Sequence, residues 1–165
     1  NLLDKKIKMK KYNWEIAERC GLGASEKKLE INISGMRQSS SILNISEIHT
    51  SLYPKSVNID KEKISIFPLD NFYNKITNMK KNILVKIDTQ GYELEILKGA
   101  KKTLEYINAI YVEVSLVELY KNQPLFDEIL GYVKKAGFSV WSVDQAVGNK
   151  ETGQTYQLDI LFTKN

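Results

Sequence analysis

Leu29, Ile31 and Ile33 alternate with Glu30 and Asn32, and a period of two predicts a strand with one buried face. Upstream, Leu2, Leu3 and Ile7 share one side of a helix end over residues 1–11. Trp14, Ile16 and Ala17 predict a strand over Tyr12–Cys20, closed by a turn at Gly21 and Gly23. Residues 34–62 have no regular period and are scattered with serines, which predicts a long surface loop of the kind that serves as a lid. From residue 83 the pattern sharpens. Ile83, Leu84, Val85 and Ile87 form a near-continuous apolar run, as in a strand covered on both faces. Leu94, Leu97, Ala100, Leu104 and Ile107 follow at helical spacing, and Ala109–Val112 is a second apolar strand leading to Glu113. Strand, helix and strand in this compass predict a right-handed βαβ unit.

The next helix is marked at both ends. Pro124 stands at the first helical position, Asp127 and Glu128 in the first turn, Lys134 and Lys135 in the last, and Gly137 just beyond. Phe138–Val143 and Tyr156–Thr163 are two further strands, joined through a turn bracketed by Gly148 and Gly153. They predict an antiparallel hairpin at the sheet edge.

At 165 residues, 42% apolar and 27% charged, the chain has the size and composition of one soluble globular domain. That excludes collagen-like, mucin-like and wholly disordered chains, and no apolar run reaches the ~18 residues of a membrane helix. The single cysteine, Cys20, excludes an internal disulfide, and with the single histidine, His49, it cannot build a zinc site. With no signal-like opening segment, the expected compartment is the cytoplasm. The net charge of +4 is almost all lysine, since Arg19 and Arg37 are the only arginines. A specific nucleic-acid reader depends on bidentate arginine, so neither nucleic acid nor membrane insertion is expected. Lys5, Lys6, Lys8, Lys10 and Lys11 read as the polar face of the first helix.

The chemistry concentrates where strands end, because ligands of open α/β sheets bind beyond the carboxyl ends of strands. Asp88 closes the first strand of the βαβ unit and Glu113 the second. The link between strand and helix is Asp88-Thr89-Gln90-Gly91-Tyr92-Glu93. Glu93 falls where a helix dipole favours an acid, and Asp88 where an N-cap is common. Against those purely structural roles, three carboxylates at neighbouring strand ends are costly to assemble without a use. They suit proton abstraction from a hydroxyl, or a divalent cation held by oxygens.

The stretch ILVKIDTQGYELEILKGA, Ile83 to Ala100, resembles the signature of the FkbM-type methyltransferases: an apolar strand, Asp, one residue, Gln or Glu, Gly, an apolar or aromatic residue, Glu, and a helix ending in Leu-Lys-Gly-Ala. Ser39-Ser40-Ser41-Ile42-Leu43 resembles the family's serine cluster, and Phe67-Pro68-Leu69-Asp70 the segment before the signature strand. Ile110–Val114 resembles the fifth strand, and Asp127 through Phe138 the helix and start of the sixth. The pieces keep the family's order over nearly the whole chain.

The resemblance implies an α/β, Rossmann-like class I methyltransferase sheet, mostly parallel with an antiparallel C-terminal hairpin, in the order 3-2-1-4-5-7-6. It implies S-adenosylmethionine as donor and a small-molecule or glycan hydroxyl, of a sugar or a secondary metabolite, as acceptor. Asp88, Glu93 and Glu113 become the catalytic candidates, Asp88, Thr89, Gln90 and Gly91 the donor contacts, and Ser39, Ser40 and Ser41 the acceptor side of a lid. The family's Gly-rich turn and ribose-binding acid have no counterpart here. Gly21-Leu22-Gly23 leads to a strand rather than a helix. The expectation is therefore a single domain lacking its first two strands, with Asn1 inside a longer protein and little donor affinity in these 165 residues alone. The alternatives are a non-catalytic α/β binding module and a Mg²⁺-dependent phosphoryl-transfer or receiver-like domain built on Asp88, Glu93 and Glu113.

Overall fold

A computed structural model of the chain describes residues 16–78 and 82–164. In chain order its elements are β1 (Gly21–Leu22), β2 (Lys27–Ser34), α1 (Glu47–Leu52), β3 (Asn58–Phe67), α2 (Tyr73–Thr77), β4 (Leu84–Ile87), α3 (Glu93–Lys98), β5 (Ala109–Ser115), α4 (Phe126–Lys135), β6 (Phe138–Gly148) and β7 (Thr155–Lys164). The helix end expected over residues 1–11 lies outside the described residues.

The described strands form two sheets, one ordered β1-β3-β2 and one β4-β5-β7-β6. The second keeps the 4-5-7-6 order that the resemblance implies for these strands. Its β4 and β5 are parallel, with Leu84 beside Ala109 and Ile87 beside Val112. β7 runs antiparallel to both β5 and β6, giving the C-terminal hairpin. The expectation of a mostly parallel sheet does not hold among the described residues: β1–β3 and β4–β5 are parallel, and the other three pairs are antiparallel.

One face of the larger sheet is the core. Ile87, Ile110, Val112, Ile160 and Phe162 pack there against Ile96 and Leu97 of α3 and Ile129 and Val133 of α4. Near-complete burial of such side chains stabilises by about 1.5–3 kcal/mol each before entropy is charged. The other face carries Lys86, Tyr111, Glu113, Asp159 and Leu161, partly open to solvent. Among the described residues β4 is thus covered on one face rather than two. Among the described strands it pairs with β5 alone, and Leu84 is 58% exposed. At the opposite edge, β6 has register shifts at Val140/Ser142, Gln145/Val147 and Val147/Gly148.

Three other expectations are corrected. Of the strand expected over Tyr12–Cys20, residues 12–15 lie outside the described residues and 16–20 are irregular; the first described strand is Gly21–Leu22, beside Ile66 and Phe67. The glycines read as a turn mark close packing instead, since a Cβ at Gly23 would lie 2.7 Å from Ile66 Cγ2. Second, the 34–62 loop contains α1, two 3₁₀ turns and the start of β3. β3 pairs along β2 from Lys27–Ile66 to Ser34–Asn58. Its outer half is charged on both faces, so no alternation betrays it. Third, the helix expected through residue 107 ends at Lys98. Gly99 packs so closely on the backbone of Gly23 that a Cβ would sit 2.0 Å from that carbonyl oxygen. Beyond it, the Asp70 carboxylate accepts from Lys102 N (3.1 Å), Thr103 N (2.8 Å) and Thr103 Oγ1 (2.7 Å), and a new 3₁₀ turn starts at Thr103. No helix among the described residues is long and apolar enough to cross a membrane.

Candidate active site

Because Ile87 stands beside Val112 in the parallel register, the next residues, Asp88 and Glu113, come side by side at the strand ends. Glu113 is also paired across β7 with Asp159. Acids cross the sheet at one level, and something must separate their charges. Gln90 does so for the first two. Its Nε2 donates to Asp88 Oδ1 (2.9 Å) and to Glu113 Oε2 (3.2 Å), and its Oε1 accepts from the Tyr120 hydroxyl (2.8 Å). Gln157 of β7 donates to the same Glu113 oxygen at 2.7 Å. Asp88 is exposed, with Lys86 Nζ 3.2 Å from its Oδ2.

Glu113 is pushed up to about 7, first by burial and then by the charges of Asp88, Asp159 and Glu93, with the Gln157 hydrogen bond pulling the other way. It therefore changes protonation near neutral pH, where a proton-transfer group is most useful. Burial, aided by the charges of Glu113, Glu93 and Asp88, drives the Tyr120 phenol well above its ordinary value, so it stays protonated and donates. Its hydroxyl also lies 3.1 Å from the Ser39 carbonyl.

Glu93 has a different place. It is 4% exposed, and its Oε1 accepts from Thr89 N (3.0 Å), Thr89 Oγ1 (3.2 Å) and Gly91 N (3.0 Å). Burial raises its pKa against these bonds. The carboxylate clamps the turn in which Gln90 (φ 58°) and Gly91 (φ 97°) take the left-handed region, and so aims the Gln90 side chain. Thr89 and Gly91 present their polar groups to Glu93.

The roof comes from residues 34–57. Ser41 Oγ donates to the Gln90 carbonyl at 2.7 Å, Ser46 N to Leu119 O at 3.0 Å and Lys121 N to Asn44 O at 2.8 Å. The expected lid segment is thus fastened beside Asp88. Beneath it is a cavity of about 510 Å³. Met36, Gln38, Ser39, His49 and Tyr53 line it from the roof, and Asp88, Gln90, Glu113 and Gln157 from the sheet and the turn after β4. Of the serine cluster only Ser39 lines it. Ser40 Oγ accepts from Ser34 N (3.1 Å), and Ser41 is engaged as described. Glu93, Thr89 and Gly91 do not line it.

Sequence reasoning missed Gln157, Tyr120, Gln38, Tyr53 and His49. For Gln157 the one available signal was its place two residues before Asp159 on a strand facing Glu113. The others reach the site through the irregular roof and carry no periodic signal. Among the described residues no three acidic, histidine or cysteine side chains are grouped as a metal ion would require.

No curated protein and no solved structure matches the chain. The family model of the methyltransferase FkbM domain matches residues 4–140, which take in β1 through β5, the Asp88–Glu93 turn and α4. With a match over most of its length, the chain belongs to the FkbM methyltransferase family.

Proposed function

We propose that the chain methylates a hydroxyl group, with S-adenosylmethionine as donor and the acceptor, a sugar, glycan or secondary metabolite, lying in the cavity at Asp88 and Glu113. The observation that carries this reading is the pair of carboxylates at the ends of adjacent parallel strands, bridged by one amide and open to a cavity. An unactivated hydroxyl is a poor nucleophile and needs a base within hydrogen-bond reach. Asp88 is the exposed member of the pair and takes that role. Glu113, poised near neutrality, takes up or returns the proton behind it. Gln90 holds the two apart, and the remaining task is alignment of the reacting atoms. The cavity wall contains no lysine or arginine among the described residues, which favours an uncharged acceptor over a phosphate or carboxylate.

The donor, when bound, supplies an electrophilic methyl group. The wall suits it in charge, since Asp88 and Glu113 complement a sulfonium. The described residues do not build its backbone cradle. Gly21 and Gly23 are filled by Ile66, and Gly91 by Gln123, Leu43 and Tyr120. No step is therefore assigned to donor contacts.

The test is transfer of tritium from methyl-labelled S-adenosylmethionine to neutral sugars by the wild type and Asp88→Ala. Loss of a general base lowers turnover by about 10²–10⁴-fold. Near-normal turnover in a folded Asp88→Ala protein rejects the assignment.

A further inference from the structure

His49 lines the cavity but takes no part in the proton chemistry of Asp88 and Glu113. It is the chain's one histidine, it is 3% exposed, and neither Nδ1 nor Nε2 has a hydrogen-bond partner. A neutral imidazole carries one donor and one acceptor nitrogen, and buried polar groups are seldom left unpaired. The ring is instead set between two tyrosines, 5.3 Å from Tyr53 and 5.0 Å from Tyr120 between centroids. Helix α1 does not need it. Ser46 caps the helix by accepting from the residue 49 backbone N–H at 3.3 Å, a bond any residue there makes. Packing does not need it either, because a phenylalanine fills such an aromatic nest with nothing left unpaired. A cavity-lining ring whose two nitrogens have no partner among the described residues is explained by what enters the cavity.

What enters must suit the rest of the wall. Burial holds the imidazole below its ordinary pKa, so the ring is uncharged at neutral pH. The carboxylates Asp88 and Glu113 repel anions. The Gln38 carboxamide carries both donors and acceptors, and Gln90 and Gln157, whose amide N–H groups are spent on Asp88, Glu113 and Ser115, add carbonyl oxygens, as a set of hydroxyls requires. As the cavity stands, both imidazole nitrogens are closed off. The two-fold χ2 torsion of histidine offers the way out: a half-turn of the ring exchanges nitrogen with carbon positions and leaves its outline unchanged.

We propose that His49 is a specificity-determining residue that hydrogen-bonds a second hydroxyl of the methyl acceptor while Asp88 takes the reacting one, so that the acceptor is a polyol held at two points. This rests on the functional reading above. Two-point attachment fixes which hydroxyl faces the donor, and His49 thereby selects the position methylated.

A single histidine makes the test direct, because the long-range ¹H–¹⁵N spectrum of the labelled chain contains one imidazole. The probes are methyl α-glucopyranoside, methyl α-mannopyranoside and methyl α-rhamnopyranoside at millimolar concentrations. At least one is expected to shift a His49 ring nitrogen in the direction of hydrogen-bond formation, together with the Asp88 and Glu113 carboxyl carbons. His49→Phe is expected to weaken that sugar by about tenfold, the worth of one good hydrogen bond, while raising the Tm of the free chain. His49→Gln, which keeps a polar head, recovers part of the affinity. A sugar that moves the carboxyls equally in wild type and His49→Phe, with the imidazole silent, overturns the assignment of His49 and leaves the functional reading standing. Sugars that move neither carboxyls nor ring overturn both. The ring measurement on the wild type decides the matter even if His49→Phe fails to fold.

Discussion

Replacing Glu93 separates a turn clamp from a catalytic acid. In Glu93→Ala the buried N–H of Gly91 loses its carboxylate acceptor, and an orphaned buried donor costs about 1–3 kcal/mol. The Thr89 N–H and hydroxyl, part-buried, recruit water more easily and add about 0.5–1 kcal/mol each. Against this, a carboxylate that burial holds above its ordinary pKa is no longer desolvated, which returns part of the loss. The net expectation is a destabilisation of about 2–3 kcal/mol, read as a drop in urea midpoint at unchanged slope. Glu93→Gln keeps a carbonyl oxygen for all three donors and is expected to cost under about 1 kcal/mol, with methyl transfer retained. Two results refute the reasoning. One is a Glu93→Ala protein within about 0.5 kcal/mol of wild type, below any named mechanism of destabilisation. The other is a Glu93→Gln protein of normal stability but without activity, which makes Glu93 part of the chemistry.

Carboxyl ¹³C titration is expected to place Glu113 near 7. Asp88→Asn lowers that value by removing a like charge, and Gln157→Leu raises it by removing a hydrogen bond to the ionised form. Because the folded pKa lies above the ordinary 4.5, the stability tied to this group is fully present below 4.5 and is lost as pH rises through 7; an unshifted Glu113 rejects the burial argument. Asp70 has the opposite sign. Burial raises it, but the bonds from Lys102 and Thr103 outweigh that and leave it below 3.8. Asp70→Ala should therefore cost about 1–3 kcal/mol at neutral pH, a difference that closes as the pH falls through the native Asp70 pKa, and equal denaturation midpoints at pH 7 count against it. Calorimetry of these 165 residues with S-adenosylmethionine is expected to show affinity weaker than micromolar, because side chains crowd Gly21, Gly23 and Gly91, the glycines at β1 and after β4. Micromolar binding relocates the donor site to residues 21–25 or another loop.

The legible parts of the fold were those in which local pattern and tertiary demand agree. β4, β5 and the final hairpin announce themselves by apolar runs whose buried faces are the core, and α4 by its acidic first and basic last turn. The meeting of Asp88 and Glu113 was legible because each closes one strand of a parallel pair. What failed was set from far along the chain. Ser65 and Ile66 lie opposite lysines of β2, and no window around residue 60 contains that information. α3 stops where Gly23 and Asp70 reach it, although the apolar spacing runs on to Ile107. His49 lies in a segment without periodicity, and a lone histidine in a sequence says nothing until its nitrogens are seen without partners.

The two edges of the larger sheet are defended unequally. On the β6 side, repeated slips in register break up the row of backbone donors and acceptors that a foreign strand would have to match, a common protection against edge-to-edge association. On the β4 side the four residues are regular, apolar at Leu84 and Val85, and interrupted only by Lys86. Among the described residues the regular edge is thus the strand that ends in Asp88, short and guarded by one lysine. A backbone joined there sets amides and carbonyls beside the first acid of the row. A strand added along that edge would alter the charge balance at Asp88, and through it the protonation of Glu113.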